Sequence, residues 1–254
     1  TFDASGWAAS RVGVCGNCGN PAEDEVKRHA LMIGVNDYGS EGALDFARSD
    51  AEFVGNAFRR QYDRTVVVSD RDATKTAVIS ELEQLTLDLN KGDVAFVYFS
   101  GHGSCAGGDH AMVLPNWDAR GRRGKSRILT CYEIASQFAA KELNWFFVLD
   151  CCQQEAIDFP VWRRKGKDCG NPYIHPPLIL SSCAPGQLSR ESRNQRHGYF
   201  TRAFVDALYD CEEKTFMGFC ASLDQKMEEL RLIGEQTPYL QGWVGACASF
   251  WPQW

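Results

Sequence analysis

"NWFFVLDCCQQE", residues 144–155, decides how the rest of the chain is read. An apolar run stops at an aspartate and is followed at once by two adjacent cysteines. The run reads as a strand buried on both faces, the kind found inside parallel sheets. Neighbouring side chains of an extended chain point to opposite faces, so Cys151 and Cys152 cannot share one environment. If the strand direction persists, Asp150 and Cys152 share one side and Cys151 takes the other.

Working outward, further apolar runs repeat this pattern. "HALMIGV" (29–35), "RTVVVSD" (64–70) and "DVAFVYFS" (93–100) read as strands upstream, and "PLILSSC" (177–183) and "TPYLQGWV" (237–244) downstream. Between them lie amphipathic segments at 42–61, 73–90, 130–141, 198–211 and 219–233 that read as helices, with "HAMVLP" (110–115) as part of a hairpin. Strands alternating with helices predict an α/β fold: a mainly parallel central sheet of about six strands, sandwiched by helices. Residues 1–25 read as an irregular N-terminal arm, 26–160 as one large part and 161–176 as a basic loop. Residues 177–254 then complete the same sheet.

Composition narrows the class. The chain has 254 residues, 44% apolar and 24% charged, ordinary for a globular protein. A formal charge of −6 gives no reason to expect nucleic acid or an anionic membrane as partner, and no apolar stretch is long enough to span a bilayer. Eleven cysteines are an odd number in a chain too long for a small disulfide framework. They point to a reducing compartment, with a cytoplasmic location as the expectation.

Two of the most apolar strands end in reactive residues. "VYFSGHG" (97–103) delivers His102, and "FFVLDCC" (146–152) delivers Asp150 and the thiols. Ligands bind outside the carboxyl ends of strands in open parallel sheets, so neighbouring strands would bring imidazole and thiol together there. A thiol becomes a strong nucleophile when a base takes its proton, and histidine is the usual base near neutral pH. The glycines beside His102 allow a substrate to approach the backbone closely, and the Gly103 amide can join the amide of the nucleophilic cysteine itself as an oxyanion hole.

Several motifs, in order, resemble the caspase–metacaspase cysteine peptidases, and metacaspases and microbial caspase-like enzymes most of all. "ALMIGVNDY" (30–38) resembles the first strand of that family, and "FARSDAEFV" (46–54) its early helix. "VYFSGHG" resembles the histidine motif and "LDCCQQ" (149–154) the nucleophile motif. "SSCAPGQLSRES" (181–192) and "GYFTRAFVDAL" (198–208) resemble the two later motifs. His102 precedes Cys152 by 50 residues, as the family signature requires.

The resemblance implies a caspase-like fold and a cysteine endopeptidase with Cys152 as nucleophile and His102 as general acid/base. It places Asp50, Ser100, Asp150 and Gln187 at the substrate pocket. Two carboxylates there favour Arg or Lys before the scissile bond. Leu44 and Asp150 stand where caspases that receive aspartate carry arginine and glutamine. The partner expected is a peptide or protein with a basic residue at the cut. The basic segment with Arg163, Arg164, Lys165 and Lys167 reads either as the candidate place for self-cutting or as a solvated charged loop, and "ARGRRGKSR" (119–127) is a second basic candidate.

The match also departs from the family. Gln154 and Glu155 replace a Ser-Gly pair after the nucleophile, which keeps open a regulatory pseudoprotease; an Asp-specific peptidase is the other alternative. Many metacaspases bind calcium, but Cys131-Tyr132 replaces an acidic pair. Asp109, Asp118, Glu133 and Asp158 lack the dense carboxylate set calcium prefers, so no cofactor or metal is expected. Cys15 and Cys18 are half of a zinc site at most, and read as an incidental pair or a disulfide. Cys105, close to His102, reads as a redox modulator or a loop residue.

Overall fold

The computed structural model describes residues 12–15, 26–39, 42–106, 109–115, 127–139, 141, 143–153, 178–212, 215–230 and 235–245. Three strands form the centre: β2 (Arg28–Gly34), β4 (Val94–Ser100) and β8 (Asn144–Asp150). All are buried along nearly their whole length, which is why they read as continuous apolar runs rather than alternating ones. Around them lie β3 (Arg64–Ser69), β9 (Leu178–Ser181), β12 (Tyr239–Gly245) and β1 (Val12–Cys15). The order across the sheet is β1-β12-β9-β8-β4-β2-β3. Every pairing is parallel except β9 with β12.

The six strands from β12 to β3 match the sheet expected from sequence. The seventh, β1, lies inside the segment read as an irregular arm, and it pairs parallel with β12 at Val12↔Gly242 to Cys15↔Gly245. β2 neighbours both β3 and β4, so the chain runs outward in opposite directions from this point. In open parallel sheets, ligands bind outside the carboxyl ends of the strands at such a reversal, here the ends of β2 and β4.

The alternation of side chains along the strands builds two core layers. Ala30, Met32, Phe96, Tyr98, Phe146 and Val148 face one layer with helices α1 (Ala47–Phe58), α4 (Tyr199–Asp210) and α5 (Phe216–Glu229). Leu31, Ile33, Val97, Phe99, Phe147 and Leu149 face the other, with α2 (Lys75–Thr86) and α3 (Cys131–Ala139). On that second face also lies an antiparallel sheet of β5 (Gly103–Ala106), β6 (Asp109–Val113) and β7 (Ile128–Thr130). It extends the hairpin expected around 110–115.

Helix starts follow local chemistry in two cases and distant chemistry in a third. Thr74 and Thr215 side chains accept from Ala77 and Gly218 amides, capping α2 and α5. α1 begins five residues later than the sequence pattern suggests, at Ala47. Its entry is held by Glu191, whose two carboxylate oxygens accept from the Asp45 and Phe46 amides at 3.0 and 2.9 Å. Glu191 and Ser192 form β10, which pairs with β11 (His197–Gly198).

Candidate active site

β4 and β8 run in register, with Ser100 opposite Asp150. His102 and Cys152 therefore each lie two residues beyond the same rung, at the carboxyl edge of the sheet. Gly103 follows His102 directly onto the second cysteine turn. A Cβ at Gly103 would overlap the Cys152 carbonyl oxygen and lie 3.1 Å from Cys151 Sγ, so only glycine lets the two turns meet.

The histidine is held from two sides. Its main-chain N–H donates to Tyr38 Oη at 2.8 Å, and the Tyr38 hydroxyl donates to the Val113 carbonyl at 3.1 Å. The Val113 amide in turn donates to the His102 carbonyl at 2.9 Å. The Tyr38 and His102 rings lie 4.5 Å apart. His102 Nε2 is 2.8 Å from the Gly42 carbonyl oxygen. A carbonyl oxygen only accepts, so Nε2 carries the hydrogen and Nδ1 is left to exchange a proton.

The two thiols sit in different surroundings. Cys152 is partly exposed, and its Sγ faces the Ser189 carbonyl oxygen at 4.0 Å. Cys151 is buried among the second core layer, and its Sγ lies 3.1 Å from His110 Nε2 on β6. Burial, with the nearby Cys183 and Asp150, holds the Cys151 thiol well above its ordinary pKa. Burial also pushes His110 down to about 4. Both members of this second pair are therefore neutral near pH 7.

Asp150 and Asp50 come together on the other face. A Cβ at Gly198 would lie 2.7 Å from Asp150 Oδ2 and 3.1 Å from Asp50 Oδ2. The Gly198 amide donates to Asp50 Oδ2 at 3.1 Å, and Ser100 Oγ donates to the same oxygen at 3.3 Å. His197 Nδ1 lies 2.8 Å from Asp50 Oδ1, its ring stacked on Phe53 at 4.5 Å. Asp150 accepts from Ser189 Oγ and from Thr201 Oγ1, each at 2.5 Å. Burial, then the neighbouring Asp50 charge, pushes Asp150 up to about 6. Burial also raises Asp50, against the hydrogen bonds from His197 and Gly198.

Of the residues singled out from sequence, Asp50, Ser100 and Asp150 thus converge, Ser100 and Asp150 two residues before His102 and Cys152. Gln187 lies close by in a different position: its Oε1 accepts from the Ala184 and Thr237 amides at 3.1 and 2.8 Å, fastening that turn. Sequence reasoning missed Ser189, His197, Gly198 and Thr201, although all four lie in or beside the two later motifs. It also missed His110 and Gln236, whose Nε2 donates to Ser189 Oγ at 3.2 Å.

The proposed cut sites Arg163, Arg164, Lys165 and Lys167, the 119–126 segment, Gln154, Glu155, Asp118, Asp158 and Cys18 lie outside the described residues. So do the side chains of Cys15, Cys105 and Asp109. Glu133 pairs with Lys75 at 2.6 Å and accepts from the Thr130 amide at 3.0 Å, so its carboxylate is engaged. Among the described residues, no cluster of three or more His, Cys, Asp or Glu side chains is placed to hold a metal ion. No described helix is long and apolar enough to cross a membrane.

A partly exposed thiol and an imidazole thus lie at the carboxyl edge of a mostly parallel sheet, two residues beyond the rung that holds the buried Asp150. A family model described as the caspase domain matches residues 27–242, and the chain belongs to that family of cysteine peptidases. A metacaspase-1 of Mycosarcoma maydis is 37% identical over 89 residues, covering 32% of this chain. The chain spans only 22% of that relative's length. A crystal structure of a protein from Geobacter sulfurreducens superposes with a TM-score of 0.63 at 18% identity, covering 89% of this chain and 97% of that one. That similarity supports the fold.

Proposed function

We propose that this caspase-domain protein is an endopeptidase that cuts after Arg or Lys, with Cys152 as nucleophile and His102 as general acid/base. The observation that carries this reading is the convergence of Asp50 and Asp150 on Gly198. A guanidinium or ammonium entering there gains two carboxylates and meets the Ser100 and Ser189 hydroxyls. Ser189 links pocket to nucleophile, because its hydroxyl holds Asp150 while its carbonyl faces Cys152.

The chemistry follows from the proton inventory. His102 Nδ1 takes the Cys152 proton, and the thiolate attacks the carbonyl carbon of the scissile bond. The developing oxyanion is received by the Gly103 and Cys152 amides. His102 then gives the proton to the leaving amine, the C–N bond breaks, and a thioester remains. A water loses a proton to His102, attacks the thioester and releases the acid, while the proton returns to sulfur. The protein substrate is a chain with an exposed basic residue, and the basic segment at 163–167 is a substrate of the same chemistry.

The test is hydrolysis of short reporter peptides ending in Arg, Lys or Asp, by wild type and Cys152→Ala, with and without calcium. Arg and Lys reporters are expected to be cut by wild type alone. Cutting after Asp only would overturn the pocket assignment, and a folded wild type inactive on all reporters would establish the pseudoprotease.

A further inference from the structure

Cys151 is the thiol that the proposed reaction does not use, yet it is not simply core filling. It sits at the end of β8, immediately before the nucleophile, with its Sγ 3.1 Å from His110 Nε2. His110 belongs to β6, which pairs with β5 at Cys105↔His110 and Gly103↔Met112. β5 begins at Gly103, the residue after His102. The Cys151–His110 contact thus joins the strand end carrying Cys152 to the hairpin carrying His102. Between them lies Gly103, whose missing side chain would strike Cys151 Sγ and the Cys152 carbonyl.

From this placement we infer that Cys151 and His110 form a positioning strut, which fixes the spacing of the two chain turns that present His102 and Cys152. The inference rests on the Cys152–His102 reading above. It assigns no proton transfer to either member. A thiol can donate its hydrogen to an unprotonated ring nitrogen, or accept one from a protonated ring nitrogen. In either tautomer one hydrogen bond spans the gap, in a site closed to water, where an unmade bond is costly. Both groups are buried, Cys151 at 1% and His110 at 3% exposure, so water cannot replace the lost partner without entering the core. A second nucleophile–base dyad is excluded by the same facts: no substrate carbonyl reaches a thiol closed off in that layer, and neither group carries charge near neutral pH.

The experiment compares Cys151→Ala, Cys151→Ser, His110→Leu and His110→Gln with wild type on an Arg reporter, reading kcat and KM separately over pH 5 to 9. Thermal melting confirms folding. A misplacement of about 1 Å between nucleophile and base costs on the order of 100-fold in rate. Cys151→Ala and His110→Leu are therefore expected to lower kcat about 10- to 100-fold with KM within about twofold. Cys151→Ser and His110→Gln keep a hydrogen-bonding group in place and are expected to recover most of the rate. The double variant Cys151→Ala/His110→Leu is expected to be no slower than either single one, because both remove the same bond. Apparent pKa values of the rate profile are expected to stay where they are in wild type. Should His110→Leu fail to fold, His110→Asn, too short to reach the thiol, takes its place.

Full activity of Cys151→Ala beside an inactive Cys152→Ala would overturn the strut and leave the nucleophile assignment standing. Additive losses in the double variant, or parallel losses in kcat and melting that the conservative variants do not mend, would also overturn it. An inactive Cys151→Ser beside an active Cys152→Ser would overturn the strut and the nucleophile assignment together.

Discussion

Asp50 and Asp150 lie 100 residues apart in the chain, yet one point beside Gly198 is within 3.1 Å of a carboxylate oxygen of each. The Gly198 backbone packs directly against both acids, at a position that admits no side chain. The methyl group of Gly198→Ala is therefore expected to press on both carboxylates and displace them. The kcat/KM for Arg and Lys reporters should fall more than about 10-fold, as for loss of one well-made polar contact. Alkylation of Cys152 by iodoacetamide should stay within about twofold of wild type. Equal loss in both measurements would mean that the substitution disturbs the nucleophile rather than the pocket.

Binding of a cation to this pocket should depend on pH. Asp150, raised to about 6 by burial and by the Asp50 charge, must ionise to pair with a guanidinium. Its protonated fraction grows as pH falls below that value, so competitive binding of agmatine should weaken about tenfold per unit below pH 6. Above pH 7 affinity should level off. In Asp150→Asn the acid limb should flatten, with affinity at pH 7.5 reduced by about 2 to 5 kcal/mol, the cost of unpairing a buried charge. Inhibition constants measured from pH 4.5 to 8 check both statements.

Tyr38 holds the histidine turn from beneath. Removing its hydroxyl in Tyr38→Phe takes the acceptor from the His102 amide and the donor from the Val113 carbonyl. One buried and one part-buried group lose their partner, so unfolding free energy should drop by about 1 to 3 kcal/mol. The rate kcat should fall more than KM rises, because the imidazole loses its support rather than the substrate its pocket. Urea titration and steady-state kinetics measure the two effects.

Glu191 anchors the entry of α1, the helix that carries Asp50. Glu191→Ala leaves the Asp45 and Phe46 amides without their acceptor and should destabilise the fold by about 1 kcal/mol, in the range of lost helix caps. Because Asp50 lies on the first turn of that helix, KM for the Arg reporter should rise as well. Denaturation midpoints together with KM separate this from a purely local change.

The central strands were legible because burial on both faces leaves an unmistakable apolar signature. β8 was read as 144–150 and is found as Asn144–Asp150. Pleat alternation also reached the site: Cys151 joins the second layer, while Asp150 meets Ser189 and Thr201 on the first, next to the Cys152 neighbour Ser189. Contacts across long stretches of chain were not legible. Nothing in "GGDHAM" (107–112) indicates that His110 meets Cys151, because that bond depends on how a hairpin folds back over a sheet end. His197 was passed over for the same reason: its bond to Asp50 joins residues 147 positions apart. The start of α1 was set too early because its cap, Glu191, comes from another part of the chain. β1 was missed because four residues without a periodic pattern reveal no strand until a partner edge is known.

The most direct measurement is to label the folded protein with peptidyl chloromethyl ketones ending in Arg or Asp and to map the adduct by mass spectrometry. The account predicts one adduct, on Cys152, formed by the Arg probe, lost in His102→Ala and competed by an Arg-containing peptide. An adduct on Cys151, or labelling by the Asp probe in preference to the Arg probe, would contradict it.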